Sequence, residues 1–173
     1  DEFTSVAQAT LADFRLRHQL PADAQFIGSV VSIEDELWLR SLIEAMPAIR
    51  AACPRAHLLL VGDGPLRQPL QRQVERLDLR GCVRWLGFEV DPRTFYGLLD
   101  VFALPAGPGG VSMSLLEAMA MSCPVMTTCP GEGTVVEHQK TGLVVWPQEP
   151  HVLADPIVTL LQQPERALAM GRA

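Results

Sequence analysis

The strongest constraint on this chain is an alternation. Short apolar, β-rich runs take turns with longer amphipathic runs, and Gly, Pro or Asp separates them throughout. Strands that alternate with helices build βαβ units and a parallel sheet, so the pattern predicts an α/β fold, doubly wound and Rossmann-like, with about six parallel strands. Strands are expected at residues 25–31, 57–61, 82–86, 101–105, 124–128 and 142–146. Helices are expected at about 5–18, 36–52, from the 62–65 turn to 77, 91–99 and 112–121, with a short helical piece around Val135 and the start of another helix at 164–173. Pro47 is expected to kink or restart the second helix. Asp91, followed by Pro92, reads as a helix N-cap, and Ser112 or its neighbour as another.

At 173 residues and 48% hydrophobic content the chain suits one domain with a substantial core. Asp1 is not an initiator Met, and the chain reads as an excerpt of a longer protein. Fourteen Lys and Arg stand against 20 Asp and Glu, and the basic residues are scattered singly. That distribution argues against nucleic acid, which requires a basic stripe to neutralise phosphates. No apolar run approaches the roughly 20 residues of a membrane span. Cys53, Cys82, Cys123 and Cys129 form no C-x-x-C pair and sit in or beside apolar stretches, as buried reduced thiols do, which favours a cytoplasmic setting. His18, His57, His138 and His151 are too dispersed to suggest a metal set, and no metal or other cofactor is expected.

Five short motifs stand in order along the chain. Val61-Gly62-Asp63-Gly64-Pro65 is followed by Leu86-Gly87-Phe88, then by Leu115-Leu116-Glu117-Ala118-Met119-Ala120 with Cys123-Pro124-Val125 and Lys140-Thr141-Gly142-Leu143. Over residues 27–147 this resembles the donor domain of retaining GT-B glycosyltransferases of family 4. The resemblance implies one half of a GT-B fold, an acceptor-binding domain on the amino-terminal side, and a nucleotide sugar held between the halves. The implied reaction is sugar transfer from a nucleoside diphosphate donor with retention of configuration and without a metal. The isolated half is not expected to be active, and work at the cytoplasmic face of a membrane, through the other domain, is what such families imply.

The chemistry of such a donor explains the residues the motifs contain. A departing nucleoside diphosphate gains negative charge, and free backbone N–H groups at a helix N-terminus stabilise it. Gly109 and Gly110 would let phosphate oxygens approach the N–H groups of Ser112, Met113 and Ser114. Glu117 matches the second of the family's two spaced glutamates and would accept hydrogen bonds from ribose hydroxyls. A glutamate near a helix start is also favoured by the helix dipole alone, by about 0.3–1 kcal/mol. The leucines beside it, Leu115 and Leu116, are expected to face the sheet. Gly28, at the end of the first strand, and Val90, where the family contacts the base through backbone atoms, complete the expected donor site.

Other positions depart from the family. Gly109 stands where the first glutamate belongs, Ser29 where an Arg follows the first-strand glycine, and Thr134 where a glutamate precedes two valines. Residues 27–39 contain no Lys or Arg, while Glu34, Asp35 and Glu36 supply acid. A degenerate domain with a scaffold or regulatory role is therefore the competing reading. A dehydrogenase is disfavoured, because Ile27-Gly28-Ser29-Val30-Val31 lacks G-x-G-x-x-G; an epimerase of GT-B shape stays open. His138 reads as a surface turn residue beside Glu137, and Arg72 and Arg76 as a solvated helix face.

Overall fold

A computed structural model of the chain describes residues 6–30, 36–87, 91–105, 112–128, 135–145 and 149–173. Six strands form one parallel sheet: β1 (Gln25–Val30), β2 (Ala56–Val61), β3 (Val83–Gly87), β4 (Val101–Pro105), β5 (Val125–Thr128) and β6 (Leu143–Val145). Their order is β3-β2-β1-β4-β5-β6. The chain thus winds outward in one direction from β1 and in the other from β4, which places the switch of direction between those two strands. In open α/β sheets, ligands bind outside the carboxyl ends of the strands at that switch.

The helices are α1 (Gln8–Arg17), α2 (Glu36–Ala52), α3 (Arg67–Arg76), α4 (Pro92–Leu98), α5 (Met113–Ala120), α6 (Pro150–Gln162) and α7 (Pro164–Arg172). Side chains alternate across each strand, so both sheet faces must be covered. Ile27, Leu58, Leu60, Val101, Ala103 and Met126 point into a core shared with α2, α3, α6 and α7. Phe26, Leu59, Phe102, Leu104 and Val125 point the other way, toward α1, α4 and α5.

Three expectations are corrected here. Pro47 does not restart the second helix, which runs unbroken for 17 residues. Trp38, Leu39, Leu42, Ile43, Met46 and Ile49 are fully buried along it, and that burial outweighs the one backbone bond a proline removes. No helix forms around Val135 in the described residues; 135–137 are irregular, and His138 pairs with Gly142 in an isolated bridge. Finally, α6 was not expected, although buried Leu153, Ile157, Leu160 and Leu161 recur at helical spacing and Pro150 stands in the first turn. Pro156 inside it masks the signal, and packing on α2 and β4 supplies the compensation.

Candidate functional site

At the carboxyl end of the sheet, α4 and α5 stand side by side. Asp91 caps α4, its side chain accepting from the Thr94 backbone N–H at 2.9 Å and from the Thr94 hydroxyl at 2.5 Å. Chiefly because of the Thr94 hydroxyl, the Asp91 carboxyl lies below its ordinary value. One turn on, Tyr96 turns inward and is only 3% exposed. Its ring meets Phe95 and Phe102 edge-on, with centroids 5.4 and 5.3 Å apart. A buried phenol requires a partner for its hydroxyl, and Tyr96 finds it on α5: the hydroxyl donates to Glu117 Oε2 at 2.9 Å. Burial and then the neighbouring Glu117 push the Tyr96 phenol well above its ordinary value, so it stays a donor.

Glu117 itself is exposed, in the second turn of α5. Between the two helices lies a pocket of about 440 Å³. Asp91, Arg93 and Tyr96 form one wall; Leu116, Glu117, Ala120 and Met121 form the other. Leu115 is buried as expected, but Leu116 is 39% exposed and lines this pocket, so only one of the two leucines faces the sheet. Successive helix residues lie about 100° apart, and a narrow buried face cannot take both.

Ser112 occupies the N-cap position of α5 with extended backbone, but its side chain makes no cap bond. Its hydroxyl instead lies 2.7 Å from that of Ser114. Among the described residues, none accepts from the backbone N–H of Met113 or Ser114, and the Met113 side chain is 68% exposed. Val90, Gly109 and Gly110, like Thr134, lie outside the described residues.

Gly28 is placed differently from its sequence expectation. The strand continues through Ser29 to Val30, so Gly28 is interior, and a Cβ there would overlap Leu99 and come within 2.8 Å of the Phe95 ring. Close packing of α4 on β1 accounts for this glycine; an open path for a ligand is not what it provides. Ser29 is fully buried, and its hydroxyl has no hydrogen-bond partner among the described residues. His138 is exposed, as expected, and its Nδ1 accepts from the Val144 backbone N–H at 3.0 Å.

The residue that sequence reasoning missed is Tyr96. It is the only tyrosine in the chain and sits in a short helix among buried neighbours. A solitary phenol in an apolar stretch signals a hydroxyl in need of a partner, though sequence does not say which.

With this geometry in view, comparison with known proteins decides the family. The model of the "Glycosyl transferases group 1" family matches residues 23–163. The chain belongs to this family. A relative in Mycobacterium tuberculosis, a GDP-mannose-dependent alpha-(1-6)-phosphatidylinositol monomannoside mannosyltransferase, is 33% identical over 143 residues, 77% of this chain and 37% of the relative. The lipopolysaccharide core biosynthesis glycosyltransferase LpsE of Rhizobium meliloti is 31% identical over 126 residues, covering 73% of this chain and 36% of that protein. This family member thus spans little more than a third of the length of those relatives.

Solved structures agree on the fold. Anabaena HepE, in complex with UDP and glucose, superposes with a TM-score of 0.85 at 23% identity, over 99% of this chain and 47% of that one. The C-terminal domain of a glycosyl transferase group 1 family protein, LpcC from Francisella tularensis, gives 0.83 at 21% identity, over 98% of this chain and 90% of that domain. The six-stranded parallel sheet is therefore the GT-B type of Rossmann-like domain. No described helix is long and apolar enough to cross a membrane.

Proposed function

We propose that this chain is the donor-binding half of a glycosyltransferase that moves a sugar from a nucleoside diphosphate sugar to an acceptor with retention of configuration. The observation that carries the reading is Glu117, an exposed carboxylate held at one oxygen, beside a pocket and one turn from the unclaimed N–H groups of Met113 and Ser114. The carboxylate accepts ribose hydroxyls, while the helix N-terminus receives the diphosphate that leaves with its charge. Gly109, Gly110 and Val90, expected at the donor from the sequence, belong to the same reading.

Both a GDP-mannose-dependent relative and a UDP-bound structural neighbour support a nucleotide-sugar donor. Acceptor binding belongs to the other half of the two-domain architecture, and no metal is called for. The chemistry asked of this half is stabilisation of the leaving group.

Calorimetric titration of the chain with GDP, UDP and ADP, free and sugar-linked, tests this. One nucleotide is expected to bind near micromolar, about -8 kcal/mol. Glu117→Ala should weaken it roughly ten- to a hundredfold, the worth of about 1.5–3 kcal/mol for a hydrogen bond to a charged group. Because that change also leaves the Tyr96 hydroxyl unpaired, Glu117→Gln, which keeps an acceptor for it, provides a second variant. Silence across the panel from a folded chain would remove the donor-binding reading and leave a scaffold role.

A further inference from the structure

The Tyr96–Glu117 bond has two ends of unequal firmness. Tyr96 is fixed from inside: its ring lies edge-on to Phe95 and to the fully buried Phe102 of β4, so the core determines where the hydroxyl stands. Glu117 is exposed, and its side chain has three rotatable bonds. An unrestrained glutamate at such a site would sample many rotamers and lose that freedom on binding. A rigid phenol that donates to Oε2 removes most of the sampling beforehand, and among the described residues Oε1 has no hydrogen-bond partner at the pocket.

We infer that Tyr96 is a positioning residue: it orients the Glu117 carboxylate toward the ribose hydroxyls of the nucleotide and thereby sets the preference for ribo- over deoxyribonucleotides. This rests on the donor-site reading of Glu117. Tyr96 touches no ligand itself and acts through the carboxylate alone. Its phenol, kept protonated by burial and by Glu117, donates at neutral and mildly alkaline pH alike. The opposite arrangement, in which Glu117 serves only to satisfy a buried hydroxyl, makes a different prediction, because the carboxylate would then bind equally well without it.

Tyr96→Phe removes the hydroxyl and keeps the ring contacts. Calorimetry on the full chain would compare UDP, GDP and ADP with their 2′-deoxy and 3′-deoxy counterparts, for the unsubstituted chain, Tyr96→Phe and Glu117→Ala, with the fold of each checked by circular dichroism. Tyr96→Phe is expected to weaken the ribonucleotide on the order of fivefold, the worth of one hydrogen bond, and to leave unchanged the deoxy analogue that lacks the hydroxyl Glu117 accepts. Equal weakening of both analogues marks a structural role and overturns the inference, as does unchanged ribonucleotide affinity. If Glu117→Ala weakens binding while Tyr96→Phe does not, the positioning role alone falls. If Glu117→Ala changes nothing, or the unsubstituted chain binds no nucleotide, the donor-site reading falls and takes this inference with it.

Discussion

The two rims of the sheet differ in how much of their side chains' polar capacity the fold uses, although Asp91 at the carboxyl-terminal rim is engaged by backbone as well. At the amino-terminal rim these groups are engaged by backbone. Asp100 Oδ2 accepts from the Phe26 N–H at 2.7 Å while the Asp100 N–H donates to the Phe26 carbonyl at 2.9 Å. Gln25 donates to the Leu161 carbonyl and Arg50 to that of Ala56, at 2.9 and 2.8 Å. At the carboxyl-terminal rim, among the described residues, capacity is left over: Glu117 takes one bond, Ser112 and Ser114 pair with each other, and the Ser29 hydroxyl has no partner. Buried backbone groups must be satisfied wherever elements join. A rim whose side chains do that work serves to hold the fold together, and a rim whose side chains are left with free donors and acceptors is the one equipped to meet a ligand.

Asp100→Ala attacks the contrast most directly. It leaves the N–H of fully buried Phe26 without its partner, and stability should fall by about 1–3 kcal/mol. Urea unfolding would measure the loss, and nucleotide affinity should not move in the folded protein. A parallel loss of affinity would mean that the two rims are energetically coupled and the division fails. Asp91→Ala should cost less, about 0.5–2 kcal/mol, as the loss of a helix cap. Since Asp91 also lines the pocket, a change in nucleotide affinity accompanies it; an unchanged dissociation constant would separate the pocket from the donor site.

The elements themselves and one local cap were legible in the sequence, while the contacts that join elements at either rim were not. The strand at 101–105 was readable to the residue, because a fully buried parallel strand is a continuous apolar run between turn signals. Asp91 before Pro92 announced its cap for an equally local reason. By contrast, the Tyr96–Glu117 bond joins residues 21 apart in sequence and exists only because α4 and α5 lie side by side on one face of the sheet. No local pattern encodes it. Ser112 shows a subtler failure: residue type and backbone both suited a cap, but a hydroxyl two residues away offered a competing partner. Gly28 was legible as a required glycine, while the reason for it, Leu99 and Phe95 pressed against β1, depends on packing.

The smallest expected effect opposes the two aspartates that flank α4. Asp100 opens to water on its outer side, yet Oδ2 is turned inward, and burial raises its carboxyl above the ordinary value. The stability it contributes is present below its unfolded pKa of about 3.9 and is lost as pH rises through the higher folded value. Asp91, lowered first of all by the Thr94 hydroxyl, does the reverse: its contribution is present above about pH 3.9 and is lost as pH falls through the lower folded value. Urea midpoints of Asp100→Asn and Asp91→Asn, each compared with the unsubstituted chain from about pH 3 to 6, should therefore drift in opposite directions. Relative to Asp100→Asn the unsubstituted chain gains as the solution becomes more acid, and relative to Asp91→Asn it loses. Drifts of the same sign would show that the two ends of α4 share one environment, and the contrast between an engaged rim and an open one would then not extend to their charges.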